Sequence, residues 1–565
     1  MSNINFVGFG GLNEKGKQCY ALSVDNDIYL FNCGILTPPN SQLGIRKIIP
    51  DFSWIIKNAS KIKGLFIGTP QYENYAGLPF LLKNIPNLPI YVSDVGAVVI
   101  NNYFSYLDIL DKVNFKPNVR IIDPLKSFKL GECFITPFNI SNFSPKSLGF
   151  IINTRNGAVI FIDDFMINSN RNLAFDNQMS YINRITKGNN LLLITGVGNV
   201  GINKGFTSPS HSTLDFLTDT ISKCNNGRIL IACNEFDMYT VMTIASVCAH
   251  KKRPFIIYSG SINKEFDFLI KKGYFVNHKL KTIRKEQMQT TNDAVIVLTG
   301  IHQRLISKIH AIINDEDPLI KILPSDYFVY ATHQVNGYEK LEAKMFDDIV
   351  CSNVQKVIKL PKEIITATAS AEDHKFLIDL IRPKYVIPIN GLYMNFVQYQ
   401  EVISKSYIRN ENIIKLGNGD VAWINDGNLN PKNKYIKQQL QFVNSNGSVD
   451  PGSTTIFERK QMTSDGAIIV NLFIDKNNKK ILLSNFEPIG VVNLTNENQE
   501  IIKQINTNCI ELINEYLEKN IIDVSKPINT KDFKYYIKKI FTKNYEKKFE
   551  KKPLIISALV FKNKK

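Results

Sequence analysis

Short runs of β-branched and aromatic residues, each closed by a turn signal, recur through the first 190 residues: INFVGFGG, DIYLFNCG, GLFIGT, IYVSD, RIIDP, SLGFIINT, AVIFIDD and NLLLITG. Runs of this kind predict strands, and helical candidates such as 72–84 are fewer. The segment therefore reads as sheet layers with helices packed outside, a layered α/β sandwich. From about 210 to 355 the pattern changes to helix and strand in turn: STLDFLTDTISKC, RILIACN, YTVMTIASVCAHK, PFIIYSG, KEFDFLIKKGY, AVIVLTG and FVYAT. That alternation predicts parallel strands joined by crossover helices, hence a second α/β module. EIITATASAEDHKFLIDLIRPKYVIPING then supplies strand, helix and strand again, and a turn-rich stretch follows it. The last part predicts two or three strands, helices around 497–519 and 530–545, and a final strand LIISALVF, a small α+β appendage. The expected boundaries are 1–194 and 356–430 for the sandwich, 195–355 for the inserted module, 431–450 for a linker and 451–565 for the appendage.

Bulk chemistry narrows this picture. At 565 residues the chain exceeds the ~250–300 at which one hydrophobic core stops growing, which fits several domains. With 44% hydrophobic and 21% charged residues, no half of the chain reads as disordered. The start MSNINFVGFGGLNEKGKQCY has no basic segment followed by an apolar run, and no stretch is apolar enough to span a bilayer. A soluble, cytoplasmic chain with no membrane partner is expected. The eight cysteines are scattered and form no C-x-x-C pair, which predicts buried free thiols.

The net charge of +17 suits a polyanion such as RNA. A coding sequence rich in A and T would give the same Lys excess, and only 12 of the 68 basic residues are Arg. Residues 531–565 carry twelve Lys against Asp532, Glu546 and Glu550, with Tyr535, Tyr536 and Tyr545 interleaved. They form either an amphipathic helix with a solvated Lys face or a surface for RNA or another anionic partner.

A series of segments, in order, resembles ribonuclease J and the wider metallo-β-lactamase/β-CASP nucleases. They are VGFGGLNEKGKQCYAL, NYAGLPFLLKNIPNLPIYVS, SPKSLGFIINTRNGAVIFIDDF, NKGFTSPSHS, KILPSDYFVYAT, RPKYVIPINGLY and ERKQMTSDGAIIVNL. The resemblance implies a metallo-β-lactamase αββα sandwich with an inserted β-CASP domain and a small α+β C-terminal domain. It also implies a centre of two zinc ions held by a His-x-His-x-Asp-His turn, a later His, an Asp and a last His. Such a centre lowers the pKa of a bound water to about 7 and so makes hydroxide for phosphodiester attack.

The ligands themselves are missing. Aligned back from Gly77-Leu78-Pro79, the turn places Thr69, Gln71, Glu73 and Asn74 on the four ligand positions, and a shift of one residue places Pro70, Tyr72, Asn74 and Tyr75 there. Asn142 and Asn390 stand where the family has His, Asp164 matches, and Asn32 replaces an acidic residue. Independently of alignment, all seven histidines lie at or beyond His211. Each reads as a surface or packing residue. The β-CASP landmarks differ in the same way: Thr195-Gly196-Val197-Gly198-Asn199 replaces an acidic strand end, Tyr239 a His, and Ala367-Thr368-Ala369-Ser370 a Gly-His-Ala-Ser phosphate loop. Thr366, Thr368, Ser370 and His333 are the candidate RNA contacts.

The resemblance therefore implies an RNA maturation and decay protein that holds no zinc and is inactive or very weak. Its expected partners are RNA and an active ribonuclease J paralogue or a second copy. A residual enzyme would have to use Glu73 and Asp164 with a hard ion such as Mg²⁺ or Mn²⁺. A scaffold without nuclease role is the other alternative.

Overall fold

The computed structural model describes residues 3–562 apart from 39–43, 112–115, 168–172, 208–212, 225, 259, 277–278, 302, 333–336, 362–363, 365–367, 433, 445–448, 451–452, 476–477 and 520–526. It describes the backbone alone of 108–111, 260–261, 450, 453 and 527–530. Contacts divide the chain into two units, Met1–Ser41 with Ile45–Asp450 and Gln42–Gly44 with Pro451–Lys565.

In the first unit one sheet runs Asn428–Leu429, Asp420–Asn425, Asn3–Gly10, Cys19–Val24, Asp27–Phe31, Ile62–Phe66, Pro89–Val92, Asn118–Ile121. The second runs Tyr385–Ile389, Asn190–Gly196, Gly157–Ile162, Ser147–Thr154, Cys133–Ile140, Phe128–Leu130. Between them Phe31 stacks on Phe161 at 4.3 Å and on Phe66 at 5.5 Å. The alternation within a strand explains the layers. Ile4 and Phe6 enter this inter-sheet core, whereas Val7 and Phe9 join Leu78, Leu81 and Ile100 of the helices outside. Across the second sheet, Leu377 and Ile378 of Ala371–Ile381 and Phe396 and Tyr399 of Tyr393–Ile403 supply the outer helical layer. The result is the expected αββα sandwich.

The inserted module is a separate sheet, ordered Phe255–Tyr258, Val295–Gly300, Ile229–Asn234, Tyr327–Tyr330, Lys356–Lys359, with every pair parallel. Helices Thr213–Lys223 and Met238–Lys251 cover one face, and Gln303–Ile313 and Glu339–Cys351 cover the other. At its base the guanidinium of Arg228, 1% exposed, meets Asp326 through two bonds of 2.8 and 2.6 Å.

Two expectations are corrected here. The linker at 431–450 contains strands: Lys434–Tyr435 pairs with Asp420–Asn425, and Gln441–Asn444 pairs with Ile45–Ile49 and Val449–Asp450. Turn-rich sequence hid them because strands of two to four residues are too short to show a period. Of the eight free cysteines, seven are buried as expected and Cys351 is exposed at a helix end.

In the second unit Ala467–Asp475 lies between antiparallel Lys480–Ile489 and parallel Leu554–Lys562. Helices Asn496–Lys519 and Pro527–Phe549 pack on one face through Cys509, Ile513, Phe533, Ile537 and Phe541. The Lys-rich segment forms the amphipathic helix, with Lys534, Lys538 and Lys539 exposed. Its tyrosines are mostly packed within the unit: Tyr545 is buried, Tyr536 stacks on Tyr516 at 4.1 Å, and Tyr535 alone of the three is exposed. The opposite sheet face presents a row of Leu483, Phe473 and Val560, with Leu483 71% exposed.

Candidate functional site

Strands Ile62–Phe66, Gly157–Ile162 and Tyr385–Ile389, with Cys133–Ile140 beside them, deliver the residues that follow them to one polar cluster at the sandwich edge. The turn after the first is clamped by backbone bonds. Cys33 N–H donates to the Asn74 carbonyl at 2.6 Å, Gln18 N–H to that of Glu73 at 3.1 Å, and Gly77 N–H to that of Cys33 at 2.8 Å. Gly34 makes this approach feasible, because a Cβ there would overlap the Glu73 carbonyl.

The centre of the cluster is Asp163, fully buried. Its Oδ2 accepts from Asn74 Nδ2 at 2.6 Å and from Asn32 Nδ2 at 3.0 Å. Asn74 Nδ2 also reaches the Thr69 carbonyl at 2.9 Å. Asn142 bridges the next strands: its Nδ2 donates to Thr69 Oγ1 at 3.0 Å and to the Asp164 carbonyl at 2.8 Å. Its Oδ1 accepts from Ser144 N–H at 2.8 Å and Ser147 Oγ at 3.0 Å. Asp164 Oδ1 accepts from Thr368 Oγ1 at 3.2 Å. Asn32 and Asn390 both adopt positive φ, 59° and 56°, which Asn tolerates better than most residues. Asn390 thereby donates its N–H to the Gly11 carbonyl at 2.7 Å and accepts from Gly16 N–H at 3.4 Å.

Burial, then the neighbouring Asp164, push Asp163 well above the ordinary carboxylate range, against the amide donors of Asn32, Asn74 and Gln18. Among the described residues no donor reaches its Oδ1 at hydrogen-bond distance. Burial also raises Asp164, opposed by Lys15, Thr368 and Gln71, and raises Glu73, opposed by Lys15.

All seven expected site positions, Thr69, Gln71, Glu73, Asn74, Asn142, Asp164 and Asn390, thus lie in or around one network. The donor set does not fit two zinc ions. At Asn74 and Asn142, where the family presents an imidazole lone pair, an amide N–H is aimed at oxygen instead. Among the described residues no three His, Cys, Asp or Glu side chains are grouped to hold a metal. Sequence reasoning missed Asp163 as the network's centre, although the Asp163-Asp164 doublet at a strand end was its signal.

Of the candidate RNA contacts, Thr366 and His333 lie outside the described residues. Ser370, expected to face RNA, is fully buried instead: its hydroxyl lies 2.8 Å from Thr207 Oγ1 and 3.2 Å from Asn203 Nδ2, and its N–H donates to Asp373. The helix Ala371–Ile381 starts at this serine. Thr368 is 8% exposed. His374 is packed edge-on against Phe165 and Tyr399, and burial lowers its pKa to about 3.

Fold and site together define a metallo-β-lactamase/β-CASP protein whose metal positions carry amides, a hydroxyl and carboxyls. Residues 454–560 match the model of the ribonuclease J C-terminal domain. The chain is 37% identical to "Uncharacterized protein MG423" of Mycoplasma genitalium, over 99% of this chain and 100% of that protein. Over the same shares it is 35% identical to the homolog in Mycoplasma pneumoniae. It is 22% identical to ribonuclease J2 of Bacillus subtilis, over 99% of this chain and 98% of that one. The chain belongs to the ribonuclease J family.

Proposed function

We propose that this protein is a noncatalytic ribonuclease J-type subunit of RNA maturation and decay, acting in the cytoplasm, that binds RNA and associates with an active paralogue or a second copy. The observation that carries this reading is the amide network around Asp163: the groups that would bind and activate a metal-bound water are bonded to one another. RNA affinity does not need those groups, because phosphate contacts require positive charge, which the chain has in excess at +17. Assembly is supported by the sheet of the second unit, whose outer row of Leu483, Phe473 and Val560 is the kind of apolar face that a second subunit covers.

The test is elemental analysis of the purified chain together with incubation of 5′-monophosphorylated RNA in Mg²⁺, Mn²⁺ or Zn²⁺. Neither stoichiometric zinc nor degradation is expected. Two tightly held zinc ions overturn the reading. Degradation that disappears in both Glu73→Ala and Asp164→Ala replaces it with that of a residual metal-dependent nuclease. For assembly, Leu483→Lys with Val560→Lys is expected to shift the sedimenting species toward monomer or to release a co-expressed active paralogue; unchanged assembly removes this face from the proposal.

A further inference from the structure

A second feature of the first unit takes no part in the polar cluster. The inserted sheet is doubly wound, and the connections that leave neighbouring strands diverge to opposite faces. After Ile229–Asn234 the chain enters Met238–Lys251 on one face; after the adjacent Val295–Gly300 it enters Gln303–Ile313 on the other. Diverging connections leave a crevice beyond the C-terminal ends of the two strands, the place where open α/β sheets bind ligands. Here the crevice is a cavity of about 800 Å³, lined from below by Glu235, Phe236 and Arg304 and from the sandwich side by Tyr72 and Tyr103. That volume is in the range of small-molecule and cofactor sites.

The lining is sorted by chemistry. Phe236 lies parallel to Tyr72, 6.2 Å away and inclined by 24°, and Tyr103 meets Tyr72 edge-on at 6.0 Å, so the wall is aromatic. Glu235 and Glu265 both line the cavity, while the side chains of Arg46, Lys264 and Arg304 stand exposed at its rim. An aromatic wall accepts a flat ring, carboxyls accept from ring N–H and amino groups, and exposed cations accept a phosphate. Burial and Glu235 together push Glu265 up to about 8, so near neutral pH its carboxyl can donate an O–H as well as accept.

We infer that this cavity is a binding site for a nucleoside phosphate whose base carries an exocyclic amino group, the base against the Phe236–Tyr72 wall, its amino edge on Glu235 and Glu265, and its phosphate on Arg304 and Arg46. The same chemistry is presented by a free nucleotide and by one unit of an RNA strand. The strand source rests on the RNA-binding reading above, whereas the free nucleotide does not.

The experiment titrates the full-length chain with AMP, GMP and UMP, and with a 5′-phosphorylated adenylate pentamer at low salt. It is repeated on Phe236→Ala, Arg304→Ala and Glu265→Gln. Phe236→Ala is expected to weaken AMP and GMP about tenfold, the size of one lost stack. Phe236 packs on Tyr72, so the exposed Arg304 supplies the variant that leaves packing intact, with an expected loss of a few-fold. AMP and GMP should bind more tightly than UMP, which has no amino group, and Glu265→Gln should narrow that difference. If the pentamer binds and weakens in the variants while the mononucleotides do not bind, the site holds a strand unit and the inference stands. If mononucleotides bind wild type and all three variants alike, it falls. If the pentamer binds every protein equally and mononucleotides bind none, the cavity inference falls and the RNA-binding reading survives; if nothing binds, both fall.

Discussion

Two places in the first unit lie at the C-terminal edge of parallel strands, the polar cluster around Asp163 and the cavity beside Glu235, and their interiors differ in kind. In the first, buried amides and carboxyls bond to one another across four segments of chain. In the second, charged and aromatic side chains line about 800 Å³ of open space. A fold that offers two ligand positions need not use both. An amide carries a donor and an acceptor on one planar group, so it can replace an imidazole and also close the network that a metal would otherwise hold together. The consequence is rigidity: the members of the closed cluster hold one another in place, whereas the side chains at the rim of the cavity stand exposed.

The largest effect should come from adding a charge to the closed cluster. Asn74→Asp replaces the amide 2.6 Å from Asp163 with a second carboxyl, and the buried repulsion should cost about 3–5 kcal/mol of folding stability at pH 8. The loss should shrink on acidification as the pair takes up a proton. Urea titrations at pH 5 and pH 8 read this directly, and a stability unchanged at both values would mean that the cluster is open to water.

A smaller effect separates the cavity from the cluster by pH. Glu265 is raised from 4.5 to about 8 by burial and by Glu235. The folded chain therefore binds a proton there that the unfolded chain releases, and the stability it contributes is full below about 4.5 and lost as pH rises through 8. Glu235, the Tyr75 phenol and the rim cations face or surround this group. Asp163, Asp164 and Glu73 shift in the same direction, so the difference between wild type and Glu265→Gln isolates the cavity. That variant should gain stability relative to wild type between pH 5 and pH 9, followed by thermal unfolding; parallel curves would place Glu265 in water.

The smallest expected change is in Arg304→Ala, within about 0.5 kcal/mol of wild type in the same unfolding assays, as for an exposed surface position. A loss of several times that size would make the rim as structural as the cluster and erase the contrast.

Much of the scaffold was legible because burial is periodic. Strands such as Asn3–Gly10 bury both faces and read as apolar runs, and the alternating helices and strands of 213–359 announced a parallel sheet. The altered metal positions were legible too, since Thr69, Gln71, Asn74, Asn142 and Asn390 are identities at fixed places along the chain. The strands within 431–450 were not, because strands of two to four residues are too short to carry a period. Nor was the fate of Ser370, whose buried hydroxyl is held by Thr207, 163 residues earlier.

What the sequence by itself determined is therefore the layers, the order of modules and the loss of imidazole from the first 210 residues, all properties of local pattern or residue type. The tertiary structure alone decided that Asp163, more than Asp164, organises the replacement network, and that Tyr72, Phe236, Glu265 and Arg304 share a cavity. The physical reason is that hydrogen-bond partners and cavity walls are chosen by distance in space, and neither the turn at Asn74 nor the crevice at the sheet's divergence leaves a spacing along the chain that could announce it.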